Sequence, residues 1–169
     1  AKIRKTLAMK LGDQENLNEA LAYYKKGYDS ALEEMAVQDK LSDSWYAAVD
    51  QAIYNGINTA TMYMLKYNKE LCNKTAEEVI ELCSAKEVDK ISYWDQASMG
   101  EACLLEGNLA DSAKYYSKAA AEAPPGDIES MITQIRAICG CLNIETKWIS
   151  DVFVVPAAVI FSEIGRAHV

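Results

Sequence analysis

Residues 93–125 read YWDQASMGEACLLEGNLADSAKYYSKAAAEAPP, and this stretch decides the fold. Apolar residues recur in it every three or four positions, first up to Gly107 and then again up to Pro124, which is the spacing of two amphipathic helices. Gly107 tolerates the left-handed backbone that ends a helix, and Pro124 and Pro125 cannot continue one. The stretch therefore predicts a helical hairpin.

The same helical spacing extends on both sides of this hairpin. Asn55 and Gly56 predict a helix stop, after which a new helix starts, and Thr75 to Glu78 fits a capping box that begins another. Together the segments predict an all-α fold of about six or seven helices. The further predicted helices lie at residues 16–35, 45–53, 58–67, 75–83 and 128–142.

Two predicted helix pairs resemble each other at an offset of 37 residues. Ala60 aligns with Ala97, and Ala76 aligns with Ala113. Small residues at such positions let the two helices of a hairpin approach closely, and periods of roughly 34 to 40 residues with two helices each are typical of helical solenoids. Residues 93–125 also follow the order of residue types in the tetratricopeptide pattern, which is an aromatic residue, a small residue, Gly, Ala, an aromatic residue, Ala and Pro. We therefore predict a tetratricopeptide-like helical-hairpin solenoid over residues 1–145.

Two motifs also resemble a known family. They are Gly-Ile-Asn-x-Ala from residue 56 and Trp-x-x-Ala-x-x-x-Glu-Ala from residue 94. Together they resemble the TRAFs-binding domain, a helical region beside the kinase domain of apoptosis signal-regulating kinases that also occurs in bacterial proteins. The resemblance covers about residues 17–142 and implies a helical-repeat scaffold in a signalling protein, without chemistry of its own. The motif residues are Asn55, Gly56, Asn58, Ala60, Trp94, Ala97, Glu101, Gly107 and Ala113.

Beyond residue 145 the pattern changes to a continuous apolar run, VFVVPAAVIF at residues 152–161. Such a run is typical of a buried parallel strand, so we interpret residues 146–163 as a linker and the first strand of a missing α/β domain. A last helix that caps the stack is the alternative. Residues 164–169 match the translation of a sequencing adaptor, and we interpret them, with His168, as an assembly artefact from environmental DNA.

Charge and composition indicate which partners and compartments to expect. The formal net charge of -8 predicts that nucleic acid is not a partner, because phosphate binding needs clustered cations. No apolar run approaches the roughly 20 residues that cross a bilayer, so we predict no membrane association. The five cysteines are odd in number and lie in helical patterns, which predicts reduced, mostly buried thiols in a cytoplasmic protein.

We predict that the segment is not an enzyme. His168 is the only histidine, so no Ser-His or Cys-His pair can activate a nucleophile. Cys139 and Cys141 do not provide the four ligands that zinc needs, so we expect neither metal nor cofactor. Glu101 lies among apolar neighbours, where it is either a perturbed acid or, as we favour, a structural carboxylate bonded to a neighbouring helix terminus.

The function predicted from these features is a protein-interaction scaffold. The inner faces of the hairpins would form a concave surface for a protein, a peptide or another domain of the same chain. In the tyrosine pairs at residues 23–24 and 115–116, one member should pack inward and the other should line a groove wall. The alternative is a regulatory segment of a larger enzyme whose catalytic α/β domain is missing. The candidate partner-binding residues are Asn58, Met62, Gln96 and Tyr115.

Overall fold

The computed structural model describes residues 13–153, and within them the chain forms seven α-helices and no strand. The predicted all-α class is therefore confirmed. A single 3₁₀ turn at Val88–Lys90 precedes the fourth helix. The helices are α1 (Gln14–Val37), α2 (Asp43–Leu65), α3 (Lys69–Ser84), α4 (Tyr93–Glu106), α5 (Leu109–Glu122), α6 (Pro125–Leu142) and α7 (Trp148–Val152).

Polar side chains start most of these helices, because the first turn of a helix leaves backbone N–H groups without a partner. Gly107 ends α4 with φ at 84°, as predicted. Pro125 is the first residue of α6, where its missing N–H is not needed. The side chains that accept a hydrogen bond from a first-turn N–H belong to Asp13, Ser42, Asn68, Ser92 and Asn108.

The predicted stop at Asn55 and Gly56 is wrong, because α2 runs through both residues without a break. The amide of Asn55 donates to the carbonyl oxygen of Gln51 at 2.9 Å and stays within the helix. A Cβ on Gly56 would lie 2.8 Å from Val79 Cγ2 and 2.9 Å from Tyr28 Cε2. The glycine is therefore present for close packing of α2 against α3 and α1, and this packing offsets its low helix propensity.

The predicted capping box at Thr75 is also wrong. Helix α3 begins earlier, where Asn68 Oδ1 accepts from the N–H of Leu71 at 3.1 Å, and Thr75 is buried inside the helix. A capping box does start α4. There Ser92 Oγ accepts from the N–H of Asp95 at 3.2 Å, and Asp95 Oδ2 accepts from the N–H of Ser92 at 2.7 Å.

Neighbouring helices pack in chain order through the first five, α1 on α2, α2 on α3, α3 on α4 and α4 on α5. Every second helix also makes contact, α2 with α4 and α4 with α6, and α7 packs on α5. One hydrophobic core extends from Tyr28 in α1 to Phe153 after α7. A smaller cluster joins the first half of α1 to α2, and it consists of Leu17, Ala20, Tyr24 and Met62.

The turns of the two hairpins α2–α3 and α4–α5 superpose at an offset of 40 residues rather than the predicted 37, since Tyr67 corresponds to Gly107. Both residues have a left-handed backbone, with φ at 57° and 84° respectively. Each is followed by a capping asparagine whose N–H reaches back into the preceding helix, from Asn68 to Tyr63 and from Asn108 to Cys103. This is the pattern that satisfies the last carbonyls of a helix.

The offset explains why the alanine prediction is only partly right. Ala60, Ala76 and Ala97 are buried, as close helix contact requires, but Ala113 is half-exposed. The contact between α4 and α5 lies elsewhere. Buried Ser112 donates to the carbonyl oxygen of Gly100 at 2.8 Å.

Gly100 is the residue that lets α5 approach α4. A Cβ at this position would lie 2.8 Å from Cδ2 of Tyr116, whose side chain is almost fully buried. The ring of Tyr116 also packs near Phe153, with ring centroids 5.9 Å apart. Burial raises the pKa of the Tyr116 hydroxyl well above its ordinary value, so the phenol is neutral in the core.

Helix α7 lies beyond the predicted domain boundary at residue 145 and packs on α5, with Ile149 and Phe153 buried. Val152, the first residue of the predicted apolar run, belongs to this helix. The rest of the predicted strand and the adaptor-like tail with His168 lie outside the described residues, and so do residues 1–12. Within residues 13–153, no helix is both long enough and apolar enough to span a membrane.

Candidate interaction groove

A surface groove follows one side of α2 and has two sections. The first, of about 890 Å³, lies between α1 and α2 and is bordered by Tyr23 and Lys26 of α1. The second, of about 450 Å³, lies between α2 and α4 and is bordered by Trp94. Gln51 and Tyr54 of α2 line both sections. The two sections therefore adjoin each other along α2, and we call them together the aromatic groove.

Three aromatic side chains stand exposed along the aromatic groove. Tyr23 is 61% exposed, Tyr54 is 51% exposed and Trp94 is 47% exposed. Buried Tyr24 lies between the two tyrosines, with its ring centroid 5.8 Å from that of Tyr23 and 6.2 Å from that of Tyr54, both nearly edge-on. This confirms that one member of the tyrosine pair at residues 23–24 packs inward while the other lines a groove wall.

A buried ion pair borders the section between α2 and α4. Lys86 Nζ lies 2.6 Å from Asp95 Oδ2 and 2.8 Å from Asp50 Oδ1, and the side chains of Lys86 and Asp95 are almost completely buried. Burial lowers the pKa of Lys86, but the hydrogen bonds to Asp50 and Asp95 outweigh it and raise that pKa overall. Lys86 therefore stays charged and links the segment before α4 to α2, which fixes the start of the helix that carries Trp94.

Asp95 is occupied by structural bonds. Its Oδ2 also accepts from Ser92 Oγ at 2.9 Å, in addition to the backbone N–H of the capping box. The thiol of Cys83 donates to the carbonyl oxygen of Asp95 at 3.8 Å, and burial, followed by the charge of Asp95, raises the pKa of Cys83. A carboxylate with this many donors and a protonated thiol are poor candidates for general base or nucleophile.

Glu101 bridges three helices. Its Oε1 accepts from Thr61 Oγ1 of α2 at 2.7 Å and from Gln134 Nε2 of α6 at 3.0 Å. The partners are side chains in the middle of helices, not the helix terminus that we expected. The carboxylate compensates its partial burial with two hydrogen bonds and ties α2, α4 and α6 together.

Two of the candidate partner-binding residues do not lie at the surface. Met62 is fully buried beneath α1, next to Leu17 and Tyr24. Asn58 is buried, and its amide donates to the carbonyl oxygen of Tyr54 at 2.7 Å. The sequence pattern missed this because α1, α3 and α4 all pack on α2 and bury polar as well as apolar side chains of that helix.

The other two candidates are partly exposed but lie outside the aromatic groove. Gln96 is half-buried, and its Oε1 is buried without a hydrogen-bond partner among residues 13–153. Tyr115 is half-exposed on α5, with the ammonium groups of Lys114 and Lys118 5.9 Å and 5.6 Å from its ring centroid. Trp94, one of the motif residues, is exposed and lines the groove.

Sequence reasoning missed several residues of the groove and its border. Gln51 and Tyr54 are three residues apart on one polar stripe of α2, a signal that the predicted helix stop obscured. Lys86 carries no local signal, because its partners come from α2 and from the first turn of α4. The Ser92-x-x-Asp95 spacing was the only sequence pattern that pointed to Asp95.

Four of the five cysteines are buried, Cys141 is exposed, and all are free thiols. Within the described range, no three or more His, Cys, Asp or Glu side chains come together as a metal site would require. No protein-family model, no curated protein and no solved structure matches this chain. The resemblance to the TRAFs-binding domain thus stays a prediction.

Proposed function

We propose that this chain is a non-catalytic protein-interaction scaffold of the TRAFs-binding type, a tetratricopeptide-like solenoid that acts in the cytoplasm within a signalling protein. The observation that carries the proposal is the aromatic groove with its three exposed rings. Exposed aromatic side chains in a row are uncommon on a surface without a partner, and tyrosine and tryptophan are the residues that dominate binding energy at interfaces.

The helix order supports the solenoid part of the proposal. Helices α1 to α5 pack on one another in chain order, α2 also contacts α4, and α4 also contacts α6. This arrangement is what a stack of two-helix units produces, because each unit must bury its apolar face against the next. The groove follows α2 and α4, which are the first helices of their hairpins.

The rings of the groove are held in place before a partner arrives. Tyr54 packs edge-on against buried Tyr24, and Trp94 lies in the first turn of a helix anchored by the Lys86–Asp95 ion pair. A surface that is ordered in advance loses little conformational entropy on binding. Tyr23, Tyr54 and Trp94 are therefore suited to act as the main contacts for a partner.

Charge indicates the chemistry of the partner. Glu34 and Asp50 border the groove, Lys26 is the only cation that residues 13–153 contribute to its first section, and the sequence as a whole has a formal net charge of -8. Charge complementarity steers association and discriminates against wrong partners. We therefore favour a protein segment with aliphatic residues that fit between the rings and with basic residues on its flanks.

A peptide-display selection on the full chain tests the proposal. We expect selected peptides to share aliphatic anchors flanked by Lys or Arg, and we expect Tyr54→Ala and Trp94→Ala each to weaken their binding about tenfold or more, because hot-spot rings contribute that much. Affinity is measured by fluorescence polarisation. The matched control is Tyr115→Ala, which removes a partly exposed ring outside the groove and should leave the affinity unchanged.

Circular dichroism and thermal melting of each variant verify that the helices remain folded. Two results would refute the proposal. One is a selection that yields no peptide dependent on Tyr54 or Trp94, and the other is a set of peptides whose binding depends on Tyr115 instead.

A further inference from the structure

A second pocket lies at the other end of α4 from Trp94. It measures about 350 Å³, within the usual range for small ligands, and it forms where the carboxyl-terminal ends of α2, α4 and α6 meet. Its walls are mostly aliphatic. The residues that line it include Met64, Tyr67, Lys69, Leu105, Glu106 and Leu142.

The electrostatic field at this pocket favours a cation. The carboxyl-terminal end of a helix carries a partial negative charge, and here three such ends converge. Helices commonly compensate this charge with a basic residue in the last turn, but α2, α4 and α6 have none there. Lys66 directly follows α2, but its ammonium group donates to Asn18 of α1 and does not line the pocket. The single opposing end is the amino terminus of α3, which the side chain of Asn68 already caps.

Glu106 adds a full negative charge that the described residues do not neutralise. Its Oε1 is buried and has no hydrogen-bond partner between residues 13 and 153. Lys69 also lines the pocket, but no ion pair joins it to Glu106. A buried carboxylate oxygen without a donor is costly and calls for an explanation, such as a ligand that supplies the donor.

The effect of this charge extends across the pocket. The pKa of Cys72, which lines the pocket, is raised to about 11 by burial and then by the negative charge of Glu106. The pKa of Cys103 is likewise raised to about 11, with burial first and Glu106 second. The pKa of Glu106 itself is raised by burial and by the nearby charge of Glu77. The charge of Lys69 lowers the pKa of Cys72 but does not outweigh burial and Glu106, so these shifts agree with a site in which negative charge prevails.

Tyr67 stands at the mouth of the same pocket in an unusual backbone conformation. It is 94% exposed and has φ at 57°, a left-handed backbone that costs a residue other than glycine roughly 1–2 kcal/mol. The equivalent turn has Gly107. Strain of this kind tends to persist where a side chain has a function, and the face of a phenol ring attracts cations.

From this geometry we propose that the pocket binds an alkylammonium group. The aliphatic chain would lie along Met64, Leu105 and Leu142, the ammonium group would donate to Glu106 Oε1, and the ring of Tyr67 would cover the mouth. A metal ion fits less well, because divalent cations require several oxygen ligands and, within the described part of the chain, Glu106 is the single carboxylate that lines the pocket. The site does not depend on the aromatic groove, so either proposal can fail without the other.

An alkylammonium group can come from a free aliphatic amine or from a lysine side chain of a protein. The experiment therefore uses two matched pairs of probes on the full chain: hexylamine with hexanol, and Nα-acetyl-lysinamide with Nα-acetyl-norleucinamide. Binding is followed through the methyl resonance of Met64 in a ¹³C-methyl-methionine-labelled sample. We expect the charged member of at least one pair to bind at about 1 mM and its neutral partner to bind at least tenfold more weakly.

Glu106→Gln should reduce binding of the charged probe at least tenfold. Glu77→Gln is the matched control, because it removes a neighbouring carboxylate that does not line the pocket, and it should leave binding nearly unchanged. Tyr67→Gly provides a second variant that keeps the carboxylate, and it should weaken binding about threefold to tenfold through loss of the ring.

Each outcome has a definite meaning. Preference for hexylamine alone assigns the site to free amines, and preference for Nα-acetyl-lysinamide assigns it to a lysine side chain; both support the proposal. The proposal would be overturned if charged and neutral probes bound equally, or if Glu106→Gln bound the charged probe as well as the native protein does. It would also be overturned if no probe shifted the methyl resonance of Met64. A cooperative thermal melt at or above the native melting temperature shows that each variant is folded and separates these results from loss of the fold.

Discussion

The hairpins α2–α3 and α4–α5 turn in the same way but distribute strain and charge differently. The first places Tyr67 in the left-handed position and Lys66 just before it, and the ammonium of Lys66 donates to Asn18 Oδ1 at 2.5 Å. The second places Gly107 in the left-handed position and Glu106 before it. The first turn therefore has a strained residue and a favourable charge, while the second has a relaxed residue and an unfavourable charge.

This difference shows which features the fold requires. A left-handed residue followed by a capping asparagine is common to both turns, so it belongs to the architecture. The strained Tyr67 and the uncompensated Glu106 are not needed for the turn, because the other hairpin forms without each of them. Both line the same pocket. Features that reduce stability and meet at one site are expected where function constrains the sequence.

The largest expected effect tests the offset between the hairpins. At the offset of 37, Ala76 and Ala113 are equivalent, but the first is fully buried and the second is half-exposed. Ala76→Asp should destabilise the protein by about 4 kcal/mol through burial of an unpaired charge, and Ala113→Asp by less than about 1 kcal/mol. Urea denaturation followed by circular dichroism measures both. Equal losses of stability in the two variants would support the offset of 37 residues instead.

The next effect concerns the close contacts within each hairpin. Gly56→Ala and Gly100→Ala should each destabilise by about 1–2 kcal/mol, because the new methyl group would collide with buried side chains and the gain in helix propensity offsets only part of that. Gly140→Ala is the matched control in α6, where no atom of the described residues lies within 4 Å of an added Cβ. This variant should stabilise the protein by about 0.5–1 kcal/mol. Stabilisation by all three variants would contradict the packing described for the two hairpins.

The next prediction compares the two turns by substitution of the residues with a left-handed backbone, Tyr67 and Gly107. Tyr67→Gly should stabilise the protein by about 1 kcal/mol, and Gly107→Ala should destabilise it by about the same amount, because only glycine adopts this backbone without strain. Thermal melting under identical conditions provides the measurement. A loss of stability in Tyr67→Gly would mean that the exposed ring stabilises the fold by contacts that its 94% exposure does not suggest.

The smallest expected effect is a pH-dependent gain from Glu106→Gln. Burial and Glu77 raise the pKa of Glu106 in the folded chain above its unfolded value, so its charged form opposes folding. The variant should therefore melt at a higher temperature than the native protein at pH 7. The advantage should shrink as pH falls through the raised pKa and vanish at about pH 4, where the glutamate is protonated as well. An advantage that grows toward low pH would contradict the sign of the shift.

The helices in residues 93–142 could be predicted closely because their signals are local. Apolar spacing of three to four residues, Gly107 as a stop and the prolines at residues 124 and 125 act within one or two turns of the chain. The inward and outward orientation of the tyrosines at residues 23–24 follows from the same spacing. The glycine and asparagines of α2 misled the prediction, because their packing partners lie in α1 and α3.

By itself the sequence determined that residues 16–142 are mostly helical and where the helices from residue 93 to residue 142 begin and end, since backbone hydrogen bonds and caps form between near neighbours. Only the tertiary structure decided which face of α2 is covered by α1, how Lys86 reaches Asp50 and Asp95, and that three helix ends enclose Glu106. The physical reason is that burial and pairing depend on residues far apart in the chain, and their register is set by packing that no local pattern encodes.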